Sequence, residues 1–402
     1  MATYITNLTT AQIAALSTAT ISRLTTEDWA AFSTAQIAAL TTAQVAAIPA
    51  TRLSGLSTTQ IAAFETADIR AITTAGIAAL GSAQLNAMTT AQMAALTTTQ
   101  VAKVGSSLFA ALETENLNAL GTAQFAALST SQAGVITATQ AAAMETADVA
   151  ALNTAALRVL TTAAIAALDT AAIRALGTAQ YAQLTTRQLA AMTTDQVAAI
   201  ETADLRALGT AQLMALTTDQ IAALGTAQVQ SLTTAQVNGL SVAQAQALTT
   251  DQIAVMGTAN LNALKTAALA ALGSAQLEAL TTAQWAGLST ANLNVLTTAQ
   301  FAAIATDDLR ALSTLQFSML APTRVAALTT AQIAAMETAD LRALGTRTIA
   351  SLGTAQLNAL TTDQVAAFST TQVAALTTAQ VAALGSTQLN ALGSAQVRSE
   401  EH

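Results

Sequence analysis

Residues 8–16 read LTTAQIAAL, and residues 376–384 read LTTAQVAAL. Between them nearly every octet varies the same eight letters. With Leu8 taken as position zero, every eighth residue as far as Leu392 is Leu, Ile, Val, Met or Phe. Position five, from Ile13 to Val397, is apolar throughout, with small residues only at Ala133, Ala141 and Ala245. No insertion or deletion moves the frame. Connecting loops tolerate changes of length, so a frame kept this strictly makes each octet one structural unit without a free loop.

The other positions have their own letters. Position two is almost always Thr, and positions three and seven are mostly Ala. Position one varies among Thr, Ser, Gly, Glu, Asp and Asn, and position four is usually Gln or Asp. Position six is Ala or polar, as at Arg70, Asn86, Arg206, Gln230 and Asn358. Positions zero and five are therefore expected in the core, with positions one, four and six facing water.

A continuous helix does not suit this period. Eight residues advance about 80° beyond two full turns, so the apolar stripe would wind around the helix. A short helix per octet fits better. Thr, Ser, Asp and Asn at positions one and two are N-cap residues. The spacing T-x-x-Q, as from Thr9 to Gln12, is that of a capping box. Gly at position one, as in Gly81, Gly177 and Gly385, follows the apolar residue where a left-handed C′ residue is expected. Position one and position two both qualify as the cap. Pro322 suits the first helical position if position one caps, whereas near-constant Thr favours position two.

Helices of five or six residues are not stable alone, since isolated helices below about 12 residues are marginal in water. Each needs neighbours on both sides, which is the logic of a solenoid. The predicted fold is all-α: a superhelix of short helices, one per octet, over residues 8–399. Residues 1–7 form an N-terminal lead and residues 400–402 a C-terminal tail. Asn262, Asn294, Asn358 and Asn390 recur in steps of four or eight octets, which points to four octets per coil with like residues stacked. With layers about 8–10 Å apart, the rod would be roughly 100–120 Å long. The minority alternative is a β-solenoid with two octets per coil, but strands call for period-two alternation and β-branched residues. Here the apolar spacings are five and three.

Composition limits the function. The chain of 402 residues is 52% hydrophobic, 3% aromatic and 9% charged, with a net charge of −8. A sparse acidic surface argues against nucleic acid, whose phosphates need clustered Lys and Arg. With no Cys, disulfides and thiolate chemistry are excluded. No apolar run approaches the roughly 18 residues of a membrane span. Met1 leads almost directly into the repeat, and no secretory signal is visible there.

Catalytic groups are scarce. The sole His is His402, in the tail RSEEH, so a Ser-His-Asp triad or a His-rich metal site is excluded. Glu65, Glu113, Glu145, Glu201 and Glu337 occupy position one, while Asp68, Asp148, Asp204 and Asp340 occupy position four. Acidic residues at helix starts, and Arg70, Arg206 and Arg342 at helix ends, fit the macrodipole. Asp307 and Asp308 form the densest acidic pair, without calcium-loop spacing. Trp29, Phe109, Phe125, Tyr181, Trp285, Phe301 and Phe317 all hold position five and read as core. Pro49 and Pro322 mark departures from consensus. Gly occurs without a phosphate-binding pattern. No catalytic, cofactor-binding or metal-ligating residue is predicted, no cofactor is implied, and the chain reads as a non-enzyme.

The LTTAQ-type octets, with their T-A-Q and E-T-A-D variants, resemble repeat regions of very large bacterial surface proteins and adhesins. The resemblance implies a structural role outside the cell: a rigid stalk, fibre or filament at the cell surface, with a non-classical export route or an excised segment accounting for the missing signal peptide. A solenoid exposes apolar core at its ends unless capped, so end-to-end self-assembly, or a longer parent chain, is expected. The alternative is a binding module that presents regular Thr and Gln rows to a polysaccharide or an ice surface.

Overall fold

The structure is a computed structural model that describes residues 2–393 and Gln396. Among these residues it places forty-nine α-helices of four to six residues and no strand. The fold is an all-α solenoid with one helix per octet, and the β alternative is not supported. Contacts divide the chain into two units, 1–208 and 209–402, each described by itself below. Residues 2–6, within the expected lead, form a helix of the same kind, with Ile5 fully buried. The tail 400–402, including His402, lies outside the described residues, as does Val397.

The helices are capped at position one. Thr9 is extended, at φ −72° and ψ 161°, and its Oγ1 accepts from the Gln12 N–H at 3.3 Å. Gln12 Oε1 in turn accepts from the Thr9 N–H at 2.8 Å. This closes the reciprocal capping box that the spacing predicted. The helix spans Thr10–Ala14, and the Leu16 N–H ends it by donating to Ile13 O at 3.1 Å. Position-two Thr is thus the first helical residue, not the cap. Pro322 sits at this first helical position, where its missing N–H costs no helical bond.

The glycine expectation is corrected. Gly81, Gly177 and Gly385 have φ of −88°, −92° and −71°, all extended N-caps. No described residue has positive φ. The chain turns between helices through two extended residues, as at Leu80 and Gly81. No left-handed residue is needed, so any side chain fits position one and the varied letters there follow.

Positions five and zero form the core as expected. The aromatic residues at position five, Trp29, Phe109, Phe125, Tyr181, Trp285, Phe301 and Phe317, are at most 1% exposed. In the first unit the helix Thr10–Ala14 packs on Thr34–Ala38, three octets on, and Thr42–Ala46 packs on Thr66–Ala71. In the second unit Thr234–Gly239 packs on Thr258–Ala263 in the same way. Side-chain bonds between coils, by contrast, run 28 and 31 residues back. One coil therefore holds between three and four octets. The four-octet expectation was close, but like residues four octets apart are offset, not stacked.

Candidate functional site

The most regular polar feature of the molecule is a buried row of amides. Gln44 at position four is 2% exposed. Its Oε1 accepts from the Thr41 N–H at 2.8 Å. Its Nε2 donates to Ile13 O and Leu16 O, both at 2.8 Å, in the preceding coil. Gln100 repeats the set with the Thr97 N–H, Ile69 O and Ile72 O, each at 2.8 Å. In the second unit Gln252 donates to Ile221 O at 3.0 Å and Leu224 O at 2.6 Å. Each amide thus satisfies a free N–H at one helix start and free carbonyls at an earlier helix end. Such end groups have no partner within the helix.

Position four was expected to face water, and the structure overturns this. A Gln amide carries donors and an acceptor on one planar group. Its donors find carbonyls only when the preceding coil is in place, so nothing within one octet reveals the burial. Positions one and six do face outward for the most part, as at Thr9, Thr41, Arg70 and Arg206.

Position-two Thr has a packing role that the sequence reading missed. A Cβ placed on Gly55 would lie 3.5 Å from Thr26 Cγ2, and one on Gly239 would lie 3.7 Å from Thr210 Cβ. Position seven of one coil therefore rests on a position-two Thr of the coil before it. At Gly287 the fit is tighter: a Cβ there would come within 2.6 Å of Thr258 Cγ2. Gly replaces the usual Ala at that spot for want of room.

Asn at position six repairs breaks in the amide row. Where position four is Asn116, Asn292 or Arg324, no Gln serves the cap N–H. The Glu113 N–H instead donates to Asn86 Oδ1 at 3.0 Å. The N–H groups of Ser289 and Ala321 donate to Asn262 and Asn294 Oδ1, both at 2.8 Å. The same Asn side chains donate to Ala111 O, Gly287 O and Met319 O at 2.8–2.9 Å. A signal for this was present in the sequence. Asn86 precedes Asn116, Asn262 precedes Asn292 and Asn294 precedes Arg324 by one constant interval.

The carboxylates separate by position. Glu65, Glu145, Glu201 and Glu337 are exposed N-caps whose side chains make no capping bond. Arg70, Arg206 and Arg342 lie in last turns, where cations are favoured. Arg310 reaches Glu337 at 3.8 Å, both largely exposed. Asp68, Asp148, Asp204 and Asp340 are buried, which the macrodipole reading did not foresee. Loss of hydration raises Asp68, Asp148 and Asp340 to about 6, and the adjacent glutamate adds to the shift. Asp204 and Asp308 are raised for the same reason, with Glu201 and Asp307 as the added charges.

Among the described residues no three Asp, Glu, His or Cys side chains gather as a metal site. No described helix is long and apolar enough to cross a membrane. A cleft of about 670 Å³ is lined by Tyr4, Ile5, Arg23 and Asp28, among others. Its Asp28 already accepts from the Thr25 N–H and Oγ1, both at 2.9 Å.

Comparison with known proteins agrees with this periodicity. No curated protein matches the chain. The ALTTAQ repeat family matches nine stretches: 61–98, 109–144, 141–176, 165–199, 197–234, 253–290, 301–336, 333–370 and 366–399. Together they span well over half of the residues, and they share the octet frame on which every bond of the amide row depends. The chain belongs to the ALTTAQ repeat family.

Proposed function

We propose that this chain is a structural repeat protein, a stiff rod or stalk at the bacterial cell surface that joins end to end into filaments. One observation carries the reading: nearly every coil binds the one before it through the same kind of buried amide. An interface that repeats by a screw step is open, and open contacts build filaments. The surface offers few groups for chemistry, and the ordered groups are spent holding coils together.

Electron microscopy over a range of concentrations tests the assembly. Rods that lengthen with concentration are expected. Monodisperse particles at every concentration would refute end-to-end joining, and globular ones would refute the rod. Protease treatment of intact cells tests the location: a surface stalk is shaved, an internal protein is spared.

A second reading keeps one supporting observation. Position-two Thr residues such as Thr10, Thr34 and Thr42 are exposed at fixed intervals, so a polysaccharide or ice surface could meet a regular hydroxyl row. Gln drops out of that reading because its amide is enclosed. Changing a run of these Thr to Ser keeps the hydroxyl and removes the methyl. Glycan binding and thermal hysteresis that survive the change would rule out a methyl-plus-hydroxyl lattice.

A further inference from the structure

Four buried side-chain polar atoms lack a hydrogen-bond partner among the described residues. Two are the indole nitrogens of Trp29 and Trp285, and the other two are acceptors, Asp68 Oδ2 and Asn118 Oδ1. Both acceptors belong to E-T-A-D octets or their neighbours. Asp68 lies in the octet that begins at Glu65, and Asn118 stands to Asp148 in sequence as Asn86 does to Asn116.

The amide row shows what is missing. At position four a Gln holds an acceptor toward its own cap and donors toward the preceding coil. Asn, one bond shorter, still reaches: Asn116 Nδ2 donates to Leu85 O at 3.0 Å, and Asn260 Nδ2 to Leu232 O at 2.9 Å. Asn292 Nδ2 lies 3.1 Å from Asn262 Oδ1, in the coil before. Asp has the length of Asn. One side of Asp68 is served, since the Glu65 backbone N–H bonds to its carboxyl. On the other side an oxygen stands where the Gln and Asn residues of the row have an N–H. By register it faces Ile37 O and Leu40 O. The matching carbonyls are those of Leu117 and Leu120 for Asp148, which also faces Asn118 Oδ1, and those of Leu309 and Leu312 for Asp340. Acceptors meet acceptors unless a proton lies between them.

We propose that Asp68, Asp148 and Asp340 are proton-operated latches between coils. Protonated by solvent, each carboxyl donates its O–H to the preceding coil as Asn does. Ionised, it sets a negative oxygen against carbonyls and loosens that boundary. Asp204 is a weaker case. The Tyr181 hydroxyl already donates at 2.6 Å to Ile173 O, the carbonyl that this register sets before Asp204.

The surrounding charges favour the proton. Asp68 has Glu65 and Arg70 on its own octet, and the helices packed on it, Thr42–Ala46 and Thr90–Ala95, are uncharged. Asp148 has Glu145 on its octet, with Glu113 and Glu115 a coil earlier and Asp169 and Arg174 on the helix packed above. Asp340 has Glu337 and Arg342, with Asp307, Asp308 and Arg310 a coil earlier and Asp363 above; the helix Thr314–Ser318 packed on it is uncharged. Burial raises all three latch carboxyls to about 6. The folded chain then holds protons that the unfolded chain releases, so stability rises as pH falls through about 6. The gain is complete below the unfolded value of 3.8.

Thermal unfolding of the full chain from about pH 7.5 to about pH 5 tests the latch. The unmodified protein should gain several degrees in midpoint as pH falls. The triple variant Asp68→Asn, Asp148→Asn, Asp340→Asn carries the donor permanently. It should start higher near pH 7.5 and lose most of the pH response. Asp195→Asn, at an exposed site, should behave as the unmodified protein does. A triple variant that tracks the unmodified protein at every pH would overturn the proposal. So would millimolar calcium that raises the midpoint near pH 7.5 in the unmodified protein but not in the variant, since the carboxylates would then hold a cation.

Discussion

Residues 153–176 and residues 185–200 use the same octet but close their coils differently. In the first stretch position four is Ala three times running, at Ala156, Ala164 and Ala172, each at most 1% exposed. The caps there are Asn153, Thr161 and Asp169, which accept from those Ala N–H groups at 2.8, 3.1 and 2.6 Å. Asn153 also donates back to Ala126 O and Leu128 O at 3.0 Å, which gives one octet some of the missing amide's work. In the second stretch Gln188 and Gln196 carry the whole amide set. The solenoid therefore needs the apolar pair at positions zero and five everywhere, whereas the amide can be exchanged for close apolar contact.

This contrast can be broken at its apolar half first. Ile165→Ala, inside the Ala run, should cost about 4 kcal/mol, since a buried cavity would open where no amide supports the boundary. Val197→Ala, inside the Gln stretch, deletes less volume and should cost about 2 kcal/mol. Urea unfolding of both variants measures the difference, and equal losses would mean that the amide row adds no support.

Gln196→Glu should come next, at about 3 kcal/mol near neutral pH. It replaces the Nε2 that donates to Ile165 O and Leu168 O by a charged acceptor. The loss should shrink in acid, a dependence readable in the same unfolding experiment. Gln196→Ala should cost less, about 1–2 kcal/mol, because it only converts the octet to the Ala type. If Gln196→Ala were as damaging as Gln196→Glu, the exchange between amide and apolar contact would not hold. The smallest effect is expected at Gly257, an extended cap with open space around its Cα. Gly257→Ser should stabilise by a few tenths of a kcal/mol through a new cap bond, visible as a small rise in Tm.

Much of the fold could be read because its causes are local. A Thr three residues before a Gln closes a capping box within one turn, and Leu and Ile spaced five and three apart can share a core only if the chain bends every eight residues. The burial of the aromatic residues at position five followed from the same frame. The choice between positions one and two as the cap did not follow, because both carry hydroxyls. The structure places the cap at position one, where the Thr9 Oγ1 accepts from the Gln12 N–H and position-two Thr10 is already helical. The left-handed glycine was a wrong expectation for a related reason: a helix that ends in two extended residues needs no positive φ.

The candidate site was much less legible. Gln44 looks like a surface residue in its octet, and its partners at Ile13 and Leu16 are 31 and 28 residues away. Asp68 looks like an ordinary helix-start acid until the preceding coil faces it with carbonyls. The recurrence of Asn262 and Asn294 suggested stacked like residues, but each bonds forward by 25 and 27 residues to groups unlike itself.

By itself the sequence determined the helix, its approximate length and the two rows of core residues, since these depend on contacts within about one turn and on the burial of apolar side chains. Only the tertiary structure decided the number of octets in a coil, the enclosure of position four and the unmatched oxygen of Asp68. Those depend on the offset between successive coils, which sets which free N–H and carbonyl groups come within hydrogen-bond reach.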